Sequence, residues 1–166
     1  LWHSVNANDS LCASLPSARN TVASTTRRQH MDILMLIGRI VFAYIFVEAG
    51  LNHLARNKPY IEYATAQKVP NPRAFTYLSG LVLLLCGLSI ILGVYVDVGA
   101  LAIAVLLLVM GFKMHNYWTP GNSTDKGPFW KNVSMAGAAL YMFATVANDG
   151  DFGPVLRDNL LQLWSK

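Results

Sequence analysis

Charge is scarce in this sequence. Of its 166 residues only 13% are Asp, Glu, Lys or Arg, against 54% hydrophobic, where a soluble domain usually carries about 25% charged residues. That deficit excludes an ordinary water-soluble globule and points to a multi-pass membrane protein built as one small domain. Cysteine is scarcer still: Cys12 lies in a polar stretch and Cys86 in an apolar one. No C-x-x-C pair occurs, which excludes dithiol–disulfide exchange of the thioredoxin kind. The two thiols are too differently placed for a structural disulfide to be expected, and Cys86 reads as a small packing residue. Flavin, haem and iron–sulfur motifs are missing, and His53 and His115 have no metal-ligand spacing. No metal and no cofactor carried by the chain itself is therefore expected. No basic block resembles a nucleic-acid arm, so the net charge of +4 reads as membrane topology and contact with anionic headgroups.

What is present is a series of long apolar runs. Residues 1–30 form a polar leader with no apolar core of a secretory signal, and its composition predicts a flexible segment. Residues 31–147 form the membrane domain, with spans predicted at about 33–51, 75–94, 98–114 and 129–146. At ~1.5 Å per residue such runs cross a hydrocarbon core of ~30 Å. Between the first two spans, Tyr60 to Lys68 predicts a short amphipathic helix at the interface, ended by Val69-Pro70-Asn71-Pro72. Asp97 marks a tight turn between spans 2 and 3. The tail, 148–166, predicts a short surface helix through Val155, Leu156, Leu160, Leu161 and Trp164. The fold class is thus all-α: an antiparallel bundle of four transmembrane helices, with a polar N-terminal leader and a C-terminal surface helix. Both termini share one side, and loops 52–74 and 115–128 share the other. Lys and Arg number seven on the loop side (Arg56, Lys58, Lys68, Arg73, Lys113, Lys126, Lys131) and five on the terminus side (Arg19, Arg27, Arg28, Arg157, Lys166). This asymmetry predicts cytoplasmic loops.

The residues that carry chemistry sit inside the first span. Met31 to Leu54 is apolar except for Arg39 and Glu48, and it ends in Gly50, Asn52 and His53. An ionised side chain at the bilayer centre costs at least ~2.5–3.5 kcal/mol, so both charges require partners, water or a ligand. Nine residues at 100° per residue put Arg39 and Glu48 on opposite faces, where they cannot pair. Arg39 shares a face with Ala43, Phe46, Gly50 and His53. Glu48 shares one with Tyr44, Asn52 and Ala55. Two polar stripes predict helix neighbours on both sides of span 1, as for a central helix or one at a subunit interface. Glu48, Asn52 and His53 lie toward the loop side, as do Lys113 and His115 ending span 3 and Lys131 and Asn132 opening span 4. A pair of Glu48 with Lys113 or Lys131 is the expected neutralisation. Arg39 lies deeper toward the terminus side, with Tyr141, Asp149, Asp151 or backbone carbonyls as its expected partners. For Lys113, His115 and Lys131 the competing reading is that of interfacial anchors whose stems snorkel.

Arg39, then Glu48-Ala49-Gly50-Leu51 and His53-Leu54, closes the first span in a way that resembles the DoxX-like family of small membrane proteins. Ser79-Gly80-Leu81 with Gly87 is similar to that family's glycine-rich second helix. Lys131-Asn132-Val133 with Gly137 is similar to the opening of its last helix. The resemblance covers about Met31 to Ala147, with His53 standing where the family often has Lys. It implies a four-helix bundle in a bacterial inner or plasma membrane, associated with a membrane redox system. One branch is linked to thiosulfate oxidation coupled to quinone. The expected function is a redox-associated subunit that binds quinone or a small anion at a cluster of Arg39, Glu48, Asn52, His53, Lys113, His115, Lys131 and Asn132. The alternative is a non-catalytic accessory or scaffold subunit. The expected partners are the lipid bilayer and either other subunits of a membrane complex or further copies of the chain.

Overall fold

A computed structural model describes the backbone of residues 18–149 and the side chains of residues 30–148. The tail helix and the first 17 residues of the leader lie outside the described residues. Five helices make up the described chain: α1 (Ala18–Ala55), α2 (Lys58–Ala66), α3 (Pro72–Leu92), α4 (Val96–Met114) and α5 (Lys126–Asp149), with a 3-10 turn at Ser123–Asp125. Three of them contain stretches long and apolar enough to cross a membrane: His30–Ala55, Pro72–Leu92 and Val96–Met114. The 24 residues of α5 have the length, but Lys126, Lys131, Asn132 and a run of Gly, Ala and Ser leave it short of the same apolar composition.

The leader is not irregular throughout its length. Helix α1 begins at Ala18 and runs without a break into the first span. Its last turns are followed at once by α2, which sets Pro59 in its first turn where no intrahelical N–H is needed. Asn71 then caps α3 from a left-handed backbone, its side chain accepting from the Ala74 N–H at 3.4 Å. Pro72 follows as the first helical residue.

The turn between α3 and α4 falls earlier than the sequence suggests. Gly93, at φ 68°, ends α3 with the Val94 N–H bonded back to the Ser89 carbonyl at 3.0 Å, a Schellman-like stop. Tyr95 also adopts a left-handed backbone, at φ 52°, and the Ser89 hydroxyl donates to the Val94 carbonyl at 2.5 Å, with the Tyr95 carbonyl further off at 3.2 Å. Asp97 is therefore not the turn residue. It lies in the first turn of α4, where a carboxylate suits the helix dipole, and it is fully buried.

Packing follows glycine. A Cβ placed on Gly50 would come 2.6 Å from the Leu84 nitrogen and 2.8 Å from the Gly80 carbonyl. One on Gly87 would come 3.1 Å from the Val47 nitrogen. Helices α1 and α3 thus touch backbone to backbone in antiparallel order. In lipid such close approach supplies the attraction that the hydrophobic effect supplies in water. Gly99 seats α4 on α3 in the same manner, with Ser89 Oγ 2.8 Å from its would-be Cβ. Helix α5 lies along α4, Gly111 facing Phe129 and Asn132, and buries Ala136, Ala139 and Val146. Helices α1 and α5 have little contact with one another among the described residues. The four long helices follow one another as an arc, α1–α3–α4–α5, that stays open on one side.

A polar-roofed cavity between the first and last helices

The face predicted for Arg39 is the buried face of α1. Arg39, Ala43, Phe46, Gly50 and His53 are all buried, at the helical spacing that carries one stripe into a protein interior. The opposite stripe faces outward among the described residues. Tyr44 is 65% exposed, Glu48 is exposed and Asn52 half-buried, so α1 has helix neighbours on one side only within the chain. Glu48 is not neutralised by a lysine. It accepts a short hydrogen bond from the Asn52 amide one turn along α1, the geometry that i,i+4 spacing provides. Lys113 and Lys131 are both exposed, and His115 pairs with Asp125 at 3.5 Å. Arg39, 2% exposed, sits at another level of the bundle. Tyr141, one of its expected partners, is 77% exposed on the outside of α5.

Where the arc fails to close, at the end carrying α2, lies a cavity of about 330 Å³. Its floor is apolar: Phe46, Leu83, Leu107, Met110 and Met135. Its roof is polar: His53, Thr76, Ser79, Asn132, His115, and Tyr60 and Tyr63 of α2. The exposed residues lining it are Ile45 and Glu48 on α1 and Lys131 on α5, so its mouth opens between those two helices. Of the eight residues expected at the site, five line this cavity (Glu48, His53, His115, Lys131 and Asn132). Asn52 stands behind Glu48. Lys113 and Arg39 are not part of it.

Hydrogen bonds fix how the two histidines face the cavity. His53 Nδ1 lies 3.1 Å from Ser79 Oγ, and the Ser79 hydroxyl donates its single proton to the Thr76 carbonyl at 3.0 Å. The His53 Nδ1–H is therefore the donor to Ser79. Its position follows from Gly80, because a Cβ there would come 2.6 Å from His53 Cβ. Tyr60 covers the ring, centroid to centroid at 4.2 Å. At the other side of the roof, Tyr63 Oη is 2.8 Å from the Met114 carbonyl. It is 3.1 Å from both Asp125 carboxylate oxygens and 3.1 Å from His115 Nδ1. Burial, then Asp125, pushes the Tyr63 phenol up to about 12, so it stays protonated and donates. Burial pulls His115 below the usual imidazole range, opposed by Asp125 and assisted by Lys131.

Ser79, Thr76, Tyr60, Tyr63 and Asp125 were not singled out by sequence as site residues. The signals were there: Thr76, Ser79 and Leu83 lie three and four apart on one face of α3, and Tyr60 and Tyr63 lie three apart on an amphipathic helix. Among the described residues no group of three or more His, Cys, Asp or Glu could hold a metal ion. Cys86 is a free, half-buried thiol.

The DoxX family model matches residues 34–116, half of the chain's 166 residues. The chain belongs to the DoxX family. The match runs from the membrane part of α1 to the end of α4, taking in Glu48, His53, Ser79 and His115, and stops before α5. Among curated proteins, the chain is similar to "Inner membrane protein YphA" of Escherichia coli K12, at 28% identity over 119 residues that cover 68% of this chain and 83% of the relative. No solved structure matches it. This DoxX-family chain is an integral membrane protein, in contact with the lipid bilayer through its apolar helices.

Proposed function

We propose that this DoxX-family protein is a membrane redox-associated subunit whose cavity binds a quinone. The observation that carries this reading is the cavity's division into an apolar floor among the long helices and a hydrogen-bonding roof at the end carrying α2. A quinone has the same division, with a polar ring and a hydrocarbon tail. Pockets for small organic ligands run from about 300 to 1,000 Å³, and about 330 Å³ suits one substituted ring with its tail left in lipid. The mouth between α1 and α5 gives that tail an exit sideways, past Ile45 and Ala49. Asn132 would donate to a ring carbonyl, the Nε2 lone pairs of His53 and His115 would accept from the hydroxyls of the reduced ring, and Lys131 would flank the entrance. A small anion is the poorer occupant, because Glu48 shares the mouth and Asp125 stands behind the roof. Electrons would be supplied or taken by another subunit.

In this proposal α5 is the fourth crossing, which completes an antiparallel four-helix bundle, and loops 52–74 and 115–128 face the cytoplasm of a bacterial inner membrane. The name of the E. coli relative supports that membrane, and the excess of Lys and Arg supports that orientation. The direct test is binding of a short-chain ubiquinone analogue to the purified protein in nanodiscs, read by quenching of its tryptophans. Saturable binding is expected, weakened about tenfold or more by Ala49→Phe, which fills the cavity by the volume of a ring. Absence of saturable binding to the unaltered protein overturns the reading.

A second reading, that of an accessory subunit in a larger complex, is favoured by the Tyr44, Glu48 and Asn52 stripe on the outer face of α1. A carboxylate at that depth is costly against lipid and would be relieved by a polar partner. A stoichiometric partner recovered in mild detergent, lost with Tyr44→Leu, supports it; a chain recovered alone rejects it.

A further inference from the structure

The cavity has two histidines, but only one of them is wired to the aqueous side. His53 ends in Ser79 and Thr76, inside the bundle. His115 ends in Tyr63 and Asp125, at the loop surface, where the His115 and Asp125 side chains are 19% and 15% exposed. These three residues come from three separate elements: α2, the end of α4 and the 3-10 turn before α5. We propose that Asp125, Tyr63 and His115 form a proton port that exchanges protons between the cavity and the aqueous phase at the loop side.

The hydrogen-bond directions support it. The Tyr63 hydroxyl has one proton to give and three acceptors within reach, the Met114 carbonyl at 2.8 Å and both Asp125 oxygens at 3.1 Å. When that proton goes to Asp125, Tyr63 Oη is left to accept from His115 Nδ1–H. None of the hydrogen bonds at His115 uses its Nε2. In the neutral ring that nitrogen carries a lone pair, and His115 lines the cavity. A hydroxyl in the cavity can therefore give a proton to Nε2. The imidazolium so formed releases its Nδ1 proton to Tyr63 Oη as the Tyr63 proton moves to the Asp125 carboxylate, which gives it to water. One proton enters at Nε2 and one leaves at Asp125. Tyr63 gains one proton and loses another, and its high pKa suits a residue that relays without being left ionised.

The charged and titratable groups facing His115 are Tyr63 on α2, Asp125 on the 3-10 turn, Lys131 on α5, and Glu48 and His53 across the cavity on α1. Asp125 favours the imidazolium. Lys131 and burial oppose it. Their balance keeps the ring neutral at rest yet able to take a proton, as an exchange group must.

The proposal takes the cavity as a ligand site, but its test needs no ligand. Protein labelled with 15N-histidine, in nanodiscs, is titrated by NMR. His115 is expected to titrate below the usual imidazole midpoint, with its protonated and neutral forms averaged into one moving signal. Asp125→Asn is expected to lower the midpoint further, because the favourable charge is lost. Tyr63→Phe keeps the ring and its packing. It is expected to slow exchange by roughly 100-fold, the scale of a positioned proton-transfer group, so that the signal splits into two. A structural role for Tyr63 would leave the exchange rate unchanged. An averaged signal in Tyr63→Phe, or a midpoint that ignores Asp125→Asn, overturns the port. If the ubiquinone analogue fails to bind while these signals behave as stated, the port stands and the quinone reading falls.

Discussion

Helix α1 has one seam that closes and one that does not. Against α3 it presents Gly50, and α3 answers with Gly80 and Gly87, so that backbones meet with no room for a methyl group. Against α5 it presents Ile45, Glu48 and Ala49, and α5 answers with Lys131, Asn132 and Met135. Those side chains keep the helices apart and leave about 330 Å³ between them and the rest of the bundle. The closed seam is structural and the open seam is where chemistry can enter. Glycine makes the difference here: it stands on both sides of the α1–α3 seam, and none of the residues that face each other across the open seam is a glycine. Gly137 of α5 shows the contrast, since nothing lies within 4 Å of its would-be Cβ.

The largest effect is expected from breaking the closed seam. Gly50→Ala forces a Cβ against the Leu84 and Gly80 backbones, atoms that cannot swing aside, at a cost of about 1–3 kcal/mol of overpacking. Unfolding by SDS in mixed micelles measures it. The same seam places His53, so Gly50→Ala is expected to weaken ubiquinone-analogue binding as well, where a merely looser bundle would bind unchanged.

Next comes the roof. Ser79→Ala removes the acceptor for the His53 Nδ1–H in a buried site, and an unsatisfied buried donor costs about 1–3 kcal/mol. The loss is expected in stability by the same unfolding assay, with His53→Leu less damaging than Ser79→Ala because no donor is then left behind.

A smaller effect is expected from pH. The folded pKa of His115 lies below its unfolded value. Between those two values the unfolded chain binds more protons than the folded one, so stability is full above the unfolded value and falls as pH drops through it. Thermal unfolding between pH 8 and pH 5 is expected to show that decline, and His115→Gln to flatten it. The smallest effect is expected at Gly137→Ala, a gain of at most about 1 kcal/mol from helix propensity, with no change in ligand binding.

Much of this contrast was legible in the sequence, and the illegible part has a physical pattern. Helical periodicity alone put Arg39, Ala43, Phe46, Gly50 and His53 on one face, and that face is the buried one. The apolar runs predicted four crossing helices, of which three are long and apolar enough to cross a membrane, and of the seven polar groups that span direction gathered at one end, Glu48, His53, His115, Lys131 and Asn132 line one cavity. Pairing was less legible. Charge alone assigned Glu48 to a lysine, whereas its neighbour on the same helix, Asn52, is the partner because it is already within reach. For the turn, Gly93 was the readable signal, since glycine takes a left-handed backbone freely at a helix end; Tyr95 at φ 52° was not, since few residues other than glycine adopt it. Tyr63 and Asp125 were missed because they lie 62 residues apart in segments that read as loop and interface. Only the fold of α2 over the end of α4 brings them to His115.

The most direct test of the account is photoaffinity labelling in membranes with an azido-ubiquinone analogue, followed by mapping of the labelled peptides. Saturable label is expected on α1 near Ile45 to His53 and on α5 near Lys131 to Met135, competed by the unmodified analogue and lost in Ala49→Phe. Label confined to the outer faces of α3 and α4, or label that does not saturate, would contradict it.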